Sequence, residues 1–342
     1  MLQFKMKKFL ITPILSLIIF SNCYAESLPK CSFWKSVNKY NNCIGEHKYS
    51  DGTYKGEYVD GVPNGKGQFS NDKGEIYIGD FVNNKFEGLG TLQIENGQKY
   101  SGEFKNGWFN GNGIFEWPDG QKYIGEFIDG KRNGQGKMNW PDGGSYVGFY
   151  KNDLRHGNGK QVWADGSTYE GEYLNGLKHG KGSGTHGPSK NKFEGEFKDD
   201  YFAKGTIYLS SGDIAKGNWD KDQKQQGKGE YIWKEGERYV GDFVDDVMSG
   251  YGKIFYTSGD IYEGDIFNNE RHGVGTIRYK SGQIFQGEFL NGKRNGMGKI
   301  TWINGDTSYG PFKDGKRHGS HDYTFSDGTK QKVLYDKGKE IE

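Results

Sequence analysis

Large apolar side chains recur along this chain at a fixed phase. Tyr100, Tyr123, Tyr146 and Tyr169 stand 23 residues apart, and the same spacing runs back to Tyr77 and Tyr54 and forward from Tyr239 to Tyr262 and Phe285. A fixed short period marks a repeat array rather than a conventional domain. With the leading aromatic counted as position zero, position two is glycine (Gly102, Gly125, Gly148) and position four is aromatic (Phe104, Phe127, Tyr150). Polar residues fill the places between, and position three is usually acidic (Glu57, Asp80, Glu103, Glu126, Glu172). This period of two predicts a strand that turns one face to a core.

A second strand is predicted to follow a turn rich in Asn, Asp and Gly. It opens on a Gly-x-Gly pair such as Gly111 and Gly113, then carries an apolar residue at position fifteen (Phe115, Met138, Ile254) and an aromatic one at seventeen (Trp117, Trp140, Trp163, Trp302). Asp119-Gly120, Asp142-Gly143 and Asp165-Gly166 then turn the chain into the next repeat, a strong hairpin signal. Each repeat is therefore expected to be one β-hairpin. The aromatic face would include Tyr100, Phe104, Trp117, Tyr123, Phe127, Trp140, Tyr146, Trp163 and Trp302, with glycines leaving room for rings of the neighbouring repeat.

The segment Tyr123-Ile-Gly125-Glu126-Phe127-Ile-Asp-Gly130-Lys-Arg-Asn-Gly134-Gln-Gly136 resembles the MORN repeat family, whose core reads Tyr-x-Gly-x-Phe/Tyr-x-x-Gly-x-x-x-Gly-x-Gly. The resemblance runs from about Gly52 to Gly328. It implies an all-β fold, an elongated, twisted antiparallel sheet of eleven or twelve stacked hairpins. It also implies roles in scaffolding and dimerisation or in membrane association, and supplies no catalytic residues. Repeats one to six would occupy 52–182 and the last four 229–328. Residues 183–228 depart from the pattern, with Ala215 at a leading position, and predict a bend or a break in register. The repeat opening at Ser308, with Pro311 and His321 in unusual places, reads as a C-terminal cap before a tail at 329–342.

Composition narrows the options. Only 32% of residues are hydrophobic, but 15% are aromatic and 57 are glycine, which suits a thin β architecture. A net charge of +1 gives no case for nucleic acid as a partner. No nucleophile elbow, phosphate loop or metal-binding cysteine set is present, so neither an enzyme nor a cofactor is expected. At the N-terminus, Lys5, Lys7 and Lys8 precede an apolar run from Phe9 to Phe20 and a small-residue site ending at Ala25. That is the layout of a secretory signal peptide over 1–25; Cys23 stands in a poor lipidation context. Export to the periplasm, cell surface or medium follows, and in an oxidising compartment Cys31 and Cys43 are expected to form a disulfide pinning an N-terminal cap at 26–51.

Three columns remain. The position-three acids are expected to pair across strands with Lys66, Lys137, Lys160, Lys253 and Lys299. His156, His179, His272 and His318 fall one per repeat at turn position ten, too far apart to share a metal. Turn position nine is basic in two blocks, Arg132, Arg155 and Lys178, then Arg271, Arg294 and Arg317, where other repeats hold Pro63, Phe86, Phe109, Phe202 or Met248. Basic tips along one edge suit an anionic partner. The expected function is thus a non-catalytic exported scaffold for protein interaction or self-association. The alternatives are anionic lipid binding through the basic tips, and glycan binding through the tryptophan column.

Overall fold

The structure, a computed structural model, describes residues 28–32 and 34–341. The expected signal peptide, Cys23 and Phe33 lie outside the described residues. Among the described residues, twenty-eight strands form one open sheet. Apart from one bridge at the N-terminal edge, they pair antiparallel with strands next or nearly next in the chain. Neighbouring strands lie about 4.8 Å apart, so the array extends on the order of 120 Å along the sheet.

The hairpin opening at Tyr123 shows how the sequence produces the unit. Its strands are Lys122–Ile128 and Lys131–Asn139, joined only by Asp129 and Gly130, both at positive φ (47° and 80°). This is the two-residue turn whose twist matches paired strands, and Asn, Asp and Gly reach its left-handed backbone most cheaply. The expected longer turn is therefore corrected: positions eight to ten already belong to the second strand. The connection to the next hairpin is wider. Gly120, at φ 89°, donates its N–H to Trp117 O, while the Trp117 N–H bonds Gln121 O, both at 3.0 Å.

The core lies on one face of the sheet. Tyr123 is fully buried, and its hydroxyl donates to the backbone carbonyl of Glu126 at 3.1 Å. Its ring occupies a slot over two directly opposed glycines, Gly125 and Gly136. The same arrangement serves Tyr54, Tyr77, Tyr100, Tyr146, Tyr169, Tyr239 and Tyr262. The ring on the glycines thus belongs to the hairpin's own strand, not to a neighbour as the sequence led one to expect. Repeats are joined ring to ring instead: Tyr123 meets Tyr150 of the next hairpin edge-on at 5.2 Å, and Tyr100 meets Phe127 likewise. Such pairs add to the area they bury.

Residues 183–228 do not break the register. Strands Lys192–Lys198, Tyr201–Tyr208, Ile214–Trp219 and Gln225–Ile232 pair in succession and continue into Arg238–Val244. What changes there is the core. With Ala215 at the leading position, the ring cluster ends at Trp219 and a second begins at Tyr239. The vacated slot is filled by Gln225, which is buried and donates its side-chain amide to Lys216 O at 2.9 Å. The C-terminal segment likewise continues the sheet, through Lys330–Asp336 and Lys339–Ile341.

At the other end the Cys31–Cys43 disulfide is formed, with the Cα atoms 5.0 Å apart. It ties the segment around Leu28–Cys31 to the edge strand Cys43–Lys48, which pairs with Thr53–Val59. Tyr40 closes the aromatic column by meeting Tyr58 edge-on at 5.2 Å.

Candidate functional site: a groove of cations between aromatic rings

Short turns decide where the basic residues go. Because only two residues make the turn, position nine lies in the second strand, directly opposite position four: Arg132 faces Phe127, and Arg294 faces Phe289. Position four points to the core, so position nine does too. Arg132, Arg155, Lys178, Arg271, Arg294 and Arg317 are accordingly half-buried on the aromatic face, not tips on an edge. Each lies over rings of its own hairpin and the next. Arg155 sits 5.8 Å from the Tyr146 centroid and 4.9 Å from that of Tyr173, while Arg294 lies 5.2 Å from Phe285 and 5.0 Å from Phe312. Phe86 and Phe109 hold the equivalent place elsewhere, stacked on Tyr77 at 3.8 Å and on Tyr100 at 4.0 Å. Position nine is therefore the lid of the tyrosine slot, and a guanidinium over a ring face serves as well as a phenyl group.

The lids also link hairpins. Arg155, Arg271 and Arg294 donate to Gly176 O, Gly292 O and Gly315 O in the next turn. Arg132 instead pairs with Asp153 at 3.1 Å. Among the described residues the other five make no ion pair with a carboxylate. Burial lowers the pKa of Lys178, against the opposing pull of the Asp200 carboxylate, and lowers that of Arg294 as well.

The predicted aromatic face divides in two. Tyr100, Phe104, Tyr123, Phe127 and Tyr146 are buried core. Trp117, Trp140, Trp163 and Trp302 are only half-buried and line the site with the cations. Lys178 Nζ lies 5.6 Å from the Trp163 ring, and Arg317 5.5 Å from that of Trp302. The structure thus brings the two columns read separately from the sequence into one groove. It deepens twice: Arg132, Arg155, Trp140, Trp163 and Gln161 line a cleft of about 480 Å³ with Asp142 and Asp153 at its rim, and Arg271, Tyr256 and Tyr279 line a smaller one of about 280 Å³ with Glu237 and Asp260.

Sequence reasoning missed Gln161. It stands at position fifteen, where other hairpins carry Phe115, Met138 or Ile277, is only 4% exposed, and accepts a hydrogen bond from Arg155 at 2.9 Å. The signal was present as a break in an otherwise apolar column.

The acidic column has a different role from the one expected. Glu126 Oε1 accepts the backbone N–H of Gln135 at 3.0 Å, Glu103 that of Asn112 at 2.8 Å, and Asp265 that of Val274 at 2.9 Å. The strand register shifts after the position-two glycine, and the acid satisfies the N–H that this bulge leaves over. Of the expected pairs only Lys66–Asp80 forms with a position-three acid. Lys160 and Lys253 pair with Glu170 and Glu263 at position one, and Lys137 and Lys299 make no ion pair among the described residues. The four position-ten histidines stay in separate hairpins.

The MORN repeat profile matches eleven segments, 54–75, 77–99, 100–122, 123–145, 146–168, 169–183, 216–238, 239–261, 262–284, 285–307 and 310–330. The chain belongs to the MORN repeat family, whose repeats serve as protein- or membrane-binding modules. No curated protein matches the chain significantly. Among solved structures, it is similar to the TCP10 domain of Danio rerio CPAP in complex with a STIL peptide (9% identity, 85% of this chain and 98% of that one, TM-score 0.23). It is also similar to the SAS-4 TCP domain of Drosophila melanogaster bound to a proline-rich motif of Ana2 (12%, 58% and 88%, 0.24). A third is an inactive virginiamycin B lyase from Staphylococcus aureus (13%, 87% and 90%, 0.14).

Proposed function

We propose that this protein is a non-catalytic, exported scaffold that holds an extended segment of a protein partner, or of a second copy of itself, in the groove of the aromatic face. The observation that carries this reading is the convergence of half-buried tryptophans and half-buried cations, all but Arg132 without an ion pair among the described residues, along one line of the sheet. Aromatic and arginine side chains that are partly desolvated dominate the energetics of protein interfaces. A flat membrane fits this groove poorly, because its cations lie between rings rather than on projecting tips.

The test is photocrosslinking in the cells that make the protein. A photoreactive phenylalanine analogue replaces Trp163 in the groove or, as a control, Ile124 on the opposite face. The reading expects a discrete adduct from position 163 alone, lost when Arg155→Glu is added. An adduct of twice the chain mass identifies self-association, and adducts from position 124 alone overturn the groove as the binding surface. The leader is tested separately, by mass spectrometry of the mature N-terminus; a chain still beginning at Met1 removes export.

A further inference from the structure

The geometry narrows the ligand of that groove, and the inference rests on the reading just given. The cations fall in two runs of three, Arg132, Arg155 and Lys178, then Arg271, Arg294 and Arg317, one per hairpin, with Phe202 and Met248 at the same position between the runs. Consecutive cations are two strands apart, which is about 9.6 Å at the usual strand spacing. A polyproline II chain rises about 3.1 Å per residue with three residues per turn, so it repeats the same side every 9.3 Å or so. A β-strand, at about 3.3 Å per residue, repeats a side only at even spacings, near 6.6 or 13 Å, and misses this pitch.

The chemistry of the run asks for acceptors. Five of the six cations have no carboxylate partner among the described residues, and Arg317 Nε is buried without a hydrogen-bond partner. Of the carboxylates lining the clefts, Asp142 accepts the Gly144 N–H at 2.8 Å, Asp153 holds Arg132, and Asp260 accepts the Lys280 N–H, while Glu237 stands beside the smaller cleft, which holds one cation, Arg271. Gln161 uses its oxygen for Arg155, and its amide nitrogen, on the cleft wall, has no partner among the described residues. The rings on either side, Trp140 and Trp163 in one run and Tyr256 and Tyr279 in the other, form the kind of aromatic-lined walls against which polyproline II segments pack.

We infer that each run binds a protein segment in the polyproline II conformation with an acidic side chain at every third residue. In the second run three carboxylates meet Arg271, Arg294 and Arg317; in the first, two meet Arg155 and Lys178 while Arg132 keeps Asp153, and the intervening residues pack between the rings.

The test uses a fluorescein-labelled (Glu-Pro-Pro)3 peptide and anisotropy with the full chain at low salt. Two comparators are (Gln-Pro-Pro)3 and a peptide of the same composition with its three glutamates in a block. The expected result is binding at least tenfold tighter than either. Arg155→Gln combined with Arg294→Gln should weaken it at least tenfold. Arg155→Lys with Arg294→Lys should largely preserve it, and Lys105→Gln on the opposite face should leave it unchanged. Circular dichroism of each variant separates lost binding from lost folding. Equal affinity for the block peptide overturns the register, and no binding of any acidic peptide overturns the charge pattern. Displacement of the probe by oligogalacturonate at lower concentration than by unlabelled peptide overturns the protein ligand. The crosslinking result stands or falls independently of these outcomes.

Discussion

The hydroxyl and ring edge of Tyr123 lie where a side chain on Gly136 would begin: a Cβ there would sit 2.3 Å from the Tyr123 hydroxyl oxygen and 2.5 Å from Cε2. The relationship repeats through the array, as for Tyr100 with Gly113 and Tyr146 with Gly159, so the glycines of the repeat are set by the volume of a ring. Gly136→Ala is expected to cost about 1–3 kcal/mol by overpacking. Tyr123→Phe should cost only about 1 kcal/mol, the worth of the lost bond to Glu126 O; Phe285 occupies the same slot without a hydroxyl. Because an array opens in parts, the check is hydrogen exchange at amides of the strands Lys122–Ile128 and Lys131–Asn139. Unchanged protection in Gly136→Ala would show that the ring can leave its slot freely.

At Ser308 the slot is filled from the opposite strand. His321 replaces the second glycine of the pair, its ring lies over Gly310, and its Nε2–H donates to Pro311 O at 2.8 Å, where a tyrosine would donate to position three. The Ser308 hydroxyl lies 3.1 Å from His321 Nδ1, closing a satisfied buried pair. Ser308→Tyr alone should clash with the imidazole, and His321→Gly alone should leave a void, each costing roughly 2–4 kcal/mol. Together the two changes rebuild the ordinary repeat, so most of that loss should return. Denaturant midpoints of the four proteins in the cycle decide it; strictly additive losses would sink the exchange.

The same histidine sets a pH dependence. Burial is the first cause that holds its pKa below the ordinary imidazole value, and Arg317 acts in the same direction. A depressed folded pKa means that the unfolded chain binds the proton more readily. Its contribution is complete above the unfolded value, near 6.5, and is lost as pH falls through the folded one. The C-terminal hairpins should therefore exchange amide hydrogens faster at pH 5 than at pH 7.5 relative to the hairpin at Tyr123, after correction for intrinsic rates. The Ser308→Tyr, His321→Gly protein should lose that difference.

Most of the fold was legible because one face of each strand repeats large, glycine, large at a period of two, and no other element accepts that pattern. The groove was legible only as two unrelated columns. Asn, Asp and Gly at positions six and seven do not announce whether the loop holds two residues or six, and that count decides whether Arg155 points to solvent or to Tyr173. The expected break in register at 183–228 does not occur, for a related reason. The hydrogen-bond ladder tolerates the loss of a ring at Ala215, because Gln225 reaches the empty slot from across the strand.

The hairpin at Tyr146 offers a gain of stability. Its position three holds Phe149, 44% exposed, where its neighbours hold Glu126 and Glu172. Among the described residues no side chain takes the Asn158 N–H, whereas Gln135 N and Lys181 N each meet a glutamate at 3.0 Å. The adjoining glycines share one conformation, φ 64°, 59° and 58° at Gly134, Gly157 and Gly180, so a glutamate at 149 would find the geometry its neighbours use. Phe149→Glu should stabilise this hairpin by about 1 kcal/mol, the usual net worth of a hydrogen bond, and slow exchange of the Asn158 amide. Glu126→Phe should do the reverse at Gln135. If Asn158 exchanges no more slowly in Phe149→Glu, the acidic column is a solubility device rather than a clasp on the bulge.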